Sequence, residues 1–168
     1  SADPSYLTTS LAKVTCLTFH LFGWFHFAMG LELSQVYNLL RNRDGTIHFE
    51  HLPVPVAEHL GSTLRIVYLS NRSLRHIFEN HKDVTEFDIL ILPMMIRDGF
   101  WIGDKPKQAC VFYKHPEHEK LYKAAVKVTL DGLEAYVSSF YRCSPKKITS
   151  ALKRGVVLAG EWNGGRLG

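Results

Sequence analysis

The chain has 168 residues, of which 46% are hydrophobic, 12% aromatic and 21% charged. These are globular values and exclude disordered, collagenous and coiled-coil classes. The net charge of +4 is uneven: residues 61–154 hold 16 basic and 10 acidic side chains, a net of +6, and the remainder carries −2. A chain of this length buries roughly 70% of its unfolded surface and needs no covalent staples. Its three cysteines, Cys16, Cys110 and Cys143, are odd in number and lack metal or redox spacing. A disulfide framework and a zinc finger are therefore not expected, and a reducing, cytoplasmic setting is. No uncharged apolar run reaches about 20 residues, so no membrane partner is expected.

The first six residues read as a tail. Leu11 to Met29 is apolar and aromatic but is interrupted by Lys13, His20 and His26. It reads as a core-packing helix in preference to a leader. Leu33, Val36, Tyr37 and Leu40 have helical spacing within Leu31 to Arg43, and Asp44-Gly45 ends that helix. Thr46 to Glu50 is a short strand candidate, and Pro53 and Pro55 mark a connection. Leu64 to Tyr68 is a strand candidate, after which Ser70 or Asn71 caps a helix running to His81. Thr85 and Asp88 have capping-box spacing for a short helix that Pro93 ends. Arg97 to Phe100 can turn a hairpin. Strands follow at Ala109 to Lys114, Lys120 to Leu130 and Leu133 to Arg142, with Asp131-Gly132 as a two-residue turn. The expectation is an α+β fold in one domain, with N-terminal helices followed by an antiparallel sheet. It divides into a helical extension over 1–60, an α+β unit over 61–155 and a tail over 156–168.

A two-residue turn pairs Leu130 with Leu133 and fixes the register beyond it. One face then carries Val128, Ala135, Val126, Val137, Ala124 and Ser139, which suits packing on helices. The other carries Lys127, Tyr136, Ser138, Lys123, Phe140 and Arg142. Cations neutralise phosphate and aromatic rings stack on bases, so this face suits RNA or another polyanion. Arg142, Lys146, Lys147, Lys153 and Arg154 extend the basic character with no acid among 142–154. Lys146 and Lys147, on a short helix after Pro145, read as a phosphate-backbone clamp.

Leu74, Ile77, Phe78 and His81 recur on one face of the capped helix. His81 therefore points inward at the helix end, either as a dipole-favoured residue bonded to a carbonyl or as a general acid/base. His76 lies on the opposite face beside Arg72 and Glu79. His115 and His118 flank Pro116 and are of metal-ligating type, but no Asp/Glu/Cys cluster completes a site, so they read as exposed loop residues and no metal is expected; His48 and His51 read as strand-surface residues. No Gly-rich phosphate loop and no nucleophile elbow is present.

The segment Leu74-Arg-His-Ile-Phe-Glu-Asn-His81, a short helix near Pro93 and a strand ending Val137-Ser-Ser-Phe-Tyr141 resemble the phage-associated branch of the barnase/EndoU/colicin/RelE-like nuclease superfamily. The resemblance covers roughly residues 64–145. It implies a toxin-like endoribonuclease that needs no metal or other cofactor and cleaves RNA through attack by the 2′-hydroxyl. His76 and His81 match its helix histidines, Lys127 its basic strand position, and Ser139 with Tyr141 its final strand. The two-residue-turn register puts Ser138, not Ser139, beside Lys127, so a bulge, a catalytic Ser138 or a mismatch with the family is left open. In the resulting scheme His81 supplies acid or base, Lys127 and Arg142 stabilise the phosphorane, and Ser138 or Ser139 holds a phosphate oxygen. Tyr136, Phe140 or Tyr141 stacks a base, and Lys123 joins the binding surface. Partners are RNA and an inhibitor protein, and a secreted or delivered toxin is the alternative localisation. The competing readings are a non-catalytic RNA- or protein-binding module and an oligomerisation domain built on the aromatic stretch 17–29.

Overall fold

A computed structural model describes residues 30–162. The expected helix over Leu11 to Met29 and the aromatic stretch 17–29 lie outside the described residues. The order of elements is α1 (Leu33–Arg41), β1 (Thr46–His51), α2 (Val54–Leu60), β2 (Ile66–Ser70), α3 (Asn71–Asn80), α4 (Glu86–Ile89), α5 (Leu92–Asp98), β3 (Phe100–Lys105), β4 (Gln108–Lys114), β5 (Leu121–Val128), β6 (Ala135–Arg142), α6 (Lys146–Leu152) and β7 (Val156–Ala159).

The strands form a single seven-stranded sheet in the order β1-β2-β6-β5-β4-β3-β7. The class is mixed α and β. The expected arrangement of helices first and an antiparallel sheet second needs correction on two points. β2 pairs with β6 in parallel, through Val67 opposite Ala135 and Tyr68 opposite Tyr136, whereas the other pairings are antiparallel. β1 and β2 also interleave with α1, α2 and α3, so strands and helices alternate through the first half. Residues 30–60 are no separate helical extension: Val36, Leu39, Phe49, Leu52, Val56 and Leu60 pack in one core with Val67, Trp101, Val126 and Val137. The expected tail begins with β7, which pairs with β3 through Val156 opposite Gly103.

Several local expectations shift for identifiable reasons. Ser70 caps α3, its side chain accepting the Ser73 amide hydrogen at 3.1 Å. Thr85 and Asp88 form the expected capping box, but α4 ends at Ile89 and Pro93 opens α5 instead of stopping α4. A proline in the first helical turn loses no hydrogen bond, since its missing N–H lies among those left unpaired there. The same principle lets Pro53 and Pro55 stand at the start of α2. Arg97 and Asp98 belong to α5 and turn no hairpin. In the β5–β6 hairpin, the Thr129 amide donates to the Glu134 carbonyl at 2.9 Å, closing a four-residue loop over 130–133. Gly132, at φ 77°, has no room for a Cβ, which would stand 2.5 Å from the Gly61 carbonyl oxygen.

The two faces of the sheet are covered differently. One carries the main core beneath the first five helices. On the other, α6 covers only part: Ile148 and Ala151 pack on Phe100, Ile102, Cys110, Phe112 and Leu121. The strip made by the ends of β5 and β6 is left uncovered by α6, and the candidate site lies along it. Among the described residues no helix is long and apolar enough to cross a membrane.

Candidate functional site

The geometry of β6 decides which side chains reach this strip. Register near the turn is as expected, with Val128 opposite Ala135, Lys127 opposite Tyr136 and Val126 opposite Val137. The next pair is Ala125 opposite Ser139, so Ser138 is the extra residue of a bulge. A bulge reverses the facing of everything beyond it. Phe140 consequently turns into the core, fully buried, and stacks on Tyr122 with ring centroids 5.3 Å apart. It is not on the open face, so it cannot stack a base there as expected. Ser139 and Tyr141 take that face instead, with Tyr141 opposite Lys123.

Arg142 requires the same correction. It turns to the helix side, where its Nη2 donates to the Asp88 carboxylate at 2.6 Å. Asp88 is 4% exposed and also accepts from the Tyr122 hydroxyl at 2.5 Å and from the Thr85 amide at 2.8 Å. Burial alone would push this carboxyl up; the hydrogen bonds from Tyr122, Thr85 and Arg142 together outweigh it and hold the group below its ordinary value. Burial and the bond to Asp88 push the Tyr122 phenol up to about 12. Arg142 is therefore a clasp between β6 and α4 and lies apart from the other candidate side chains.

The remaining candidates separate into two clusters. β2 stops pairing with β6 after Tyr136, and α3 packs beside β6 beyond that point. Between them opens a groove of about 740 Å³ lined by Arg43, Asn71, Arg72, Ser73, Arg75, His76, Glu79, Lys127 and Ser138. Of these, His76, Lys127 and Ser138 are candidates on sequence grounds; Arg43, Ser73 and Arg75 are not, and Arg72 and Glu79 enter there only as neighbours of His76. The visible signal was the i, i+3, i+4, i+7 stripe of Arg72, Arg75, His76 and Glu79 on the outer face of α3.

Buried Asn71 builds one wall of the groove. Its side-chain amide donates to the Leu39 and Leu40 carbonyls at 2.7 and 3.2 Å, and its backbone N–H donates to Gly45 at 2.9 Å. These bonds dock the C-terminal end of α1 on the start of α3 and bring Arg43 to the groove. Arg75 adds a bond from Nη2 to the Leu40 carbonyl at 3.1 Å, a cation placed at a helix C-terminus. Arg43, Arg72 and Lys127 are exposed. His76 is exposed, and the Asn80 side-chain nitrogen lies 3.2 Å from its Nδ1. Ser138 Oγ donates to the Ala125 carbonyl at 3.2 Å, which steadies the bulge.

The second cluster lies further along β6. His81 stacks on Tyr141 with centroids 4.7 Å apart, and Lys123 Nζ lies 5.9 Å from the Tyr141 ring and 5.6 Å from that of Phe112. His81, expected to point into the apolar body, is half-buried and meets the Tyr141 ring on the open strip, and it does not line the groove with His76. Tyr136 is half-buried, packs on Tyr68 at 5.5 Å and donates to Glu134 at 3.0 Å. Lys146 and Lys147 are exposed at the start of α6, outside the groove. No family model matches the chain, and no curated protein or solved structure matches it.

Proposed function

We propose that the groove between α3 and β6 binds the phosphate backbone of RNA and cleaves it by attack of the 2′-hydroxyl, as the nuclease resemblance implies. The observation that carries the reading is its composition: four cations, Arg43, Arg72, Arg75 and Lys127, surround His76 and Glu79, one helical turn apart on α3. This reaction needs a base for the 2′-hydroxyl proton, an acid for the departing 5′-oxygen and cations around the added negative charge. Glu79 takes the first role and His76 the second. Lys127 and Arg72 stabilise the phosphorane, and Ser73 or Ser138 holds a phosphate oxygen. Tyr141, on the open strip, stacks a base beyond the scissile bond, with Lys123 beside it. The products are a 2′,3′-cyclic phosphate and a free 5′-hydroxyl.

The deciding experiment incubates folded protein with total RNA in EDTA between pH 5 and pH 8. RNA left intact across that range, under conditions where the protein binds it, would sink the cleavage reading. It would leave the second reading, an RNA-binding module without chemistry. That reading is favoured by the engagement of His81 with Tyr141 instead of with His76.

Both readings share one expectation. The open strip runs from the groove past Ser139, Tyr141 and Lys123 toward the basic start of α6. RNA bound along it reaches Lys146 and Lys147, which act as point charges without base preference. Replacing both with alanine is expected to lower the slope of log K against log salt by about one to two units, equally for unrelated sequences. Fluorescence anisotropy at four salt concentrations measures it. An unchanged slope confines the bound strand to the groove.

A further inference from the structure

The loop joining β4 to β5 lies at the opposite end of β5 from Lys127, roughly 20 Å away at about 3.3 Å per residue. Its residues take no part in the proposed cleavage. The last strand pair is Lys114 opposite Leu121. Beyond it the His115 amide donates to the Lys120 carbonyl at 3.1 Å, closing a tip of four residues that begins with Pro116. This closure brings three side chains together. His115, Glu117 and His118 each offer a ligand atom, and these atoms all lie within 4.8 Å of one another. The two imidazole rings stack with centroids 4.6 Å apart, and Tyr113 meets His115 edge-on at 6.5 Å. The neighbouring Lys114 ammonium is engaged by Glu119 at 3.0 Å, which offsets its repulsion of a cation. Sequence spacing alone gave no third ligand to His115 and His118; the fold of the tip supplies Glu117.

We infer that this loop is a binding site for one late first-row divalent cation of the zinc type, held by two imidazoles and a carboxylate with solvent completing the shell. Two nitrogens and one oxygen suit zinc, with bonds of about 2.0–2.2 Å, and poorly suit calcium or magnesium, which prefer oxygen-only sets. Tetrahedral ligands on such bonds stand about 3.3 Å apart. The side chains therefore close in by about 1.5 Å at most, within the reach of side-chain rotation on a surface loop. One competing contact is lost if His115 binds through Nε2. Its Nδ1 now accepts the Glu117 amide hydrogen at 3.2 Å. Binding through Nε2 moves the ring proton to Nδ1 and gives up that long bond. Glu117 and His118 are exposed, so the ion enters without opening the fold.

The test is titration of the metal-stripped full chain with Zn²⁺ against a chromophoric chelator. Wild type is compared with H115A/H118A, E117Q and, as a control at a distant exposed histidine, H48A. The double variant is expected to lose one equivalent of bound zinc and E117Q to bind roughly tenfold more weakly, with H48A unchanged. Co²⁺ added to wild type is expected to give visible bands of low-coordinate cobalt that H115A/H118A lacks. Circular dichroism confirms that each variant is folded, which a surface tip permits. Equal zinc stoichiometry and affinity in wild type and H115A/H118A overturns the site. The outcome is independent of the cleavage reading, which is assayed in EDTA.

Discussion

Replacing Arg142 with alanine is expected to lower stability by about 3 kcal/mol, because it strands a buried carboxylate. Asp88 keeps its charge in the core on four supports: the Arg142 guanidinium, the Tyr122 hydroxyl, and the Thr85 amide and hydroxyl. Deleting the first leaves the cost of burial with less to oppose it. Urea unfolding followed by circular dichroism measures the loss. Tyr122→Phe removes a neutral partner and is expected to cost less, about 1–2 kcal/mol. The pH dependence has a definite sign. The folded Asp88 carboxyl lies below its ordinary value, so its stabilising contribution is complete above pH 4 or so and fades as pH falls through the folded value. Tyr122 acts at the other end: with its phenol raised from 10.0 to about 12, its contribution is present below pH 10 and is lost as pH rises toward 12. In R142A the acid limb is expected to move to higher pH, since Asp88 then protonates more easily. An R142A protein that keeps wild-type stability yet cleaves RNA slowly would return Arg142 to the chemistry.

Local periodicity carried the parts of this fold that depend on local periodicity. The inward and outward faces of α3 are set by 3.6-residue spacing alone, and His76 and His81 were separated on that basis. The pairing sum near the β5–β6 turn survives although the loop has four residues instead of two, because Thr129 and Glu134 close it in the same register. The bulge left a readable trace. Val137 and Phe140 are both fully buried, yet they are three residues apart, and strict alternation cannot place both on one face. Two consecutive serines between two core residues mark the place where the strand takes an extra residue. β3 carries no such signal for a different reason: Phe100, Trp101, Ile102 and Gly103 are all buried, and a strand covered on both faces shows no alternation. Arg43 had no local signal. Its place depends on Asn71 reaching carbonyls more than 30 residues earlier in the chain. The parallel pairing of β2 with β6 likewise joins residues far apart in the chain, Val67 with Ala135 and Tyr68 with Tyr136.

The largest effect on activity is expected from the outer face of α3. His76→Ala and Glu79→Gln are each expected to lower the cleavage rate at saturating RNA by about 10²- to 10⁴-fold, the usual worth of a positioned acid or base. Both side chains are exposed on one stripe of α3, so neither substitution opens a cavity, and unfolding curves are expected to match wild type. Affinity is expected to hold, because Arg43, Arg72 and Lys127 remain to neutralise phosphate. His81→Ala separates this scheme from the one drawn from the sequence. His81 packs on Tyr141, and its loss is expected to cost stability of about 1 kcal/mol through the lost ring stacking while leaving the rate within a few-fold of wild type. Single-turnover cleavage of a short labelled RNA, with affinity measured separately, reads both quantities. A rate that collapses in H81A and survives in H76A would move the chemistry out of the groove and onto the Tyr141 end of the strip. If both variants cleave at the wild-type rate, neither histidine is the acid.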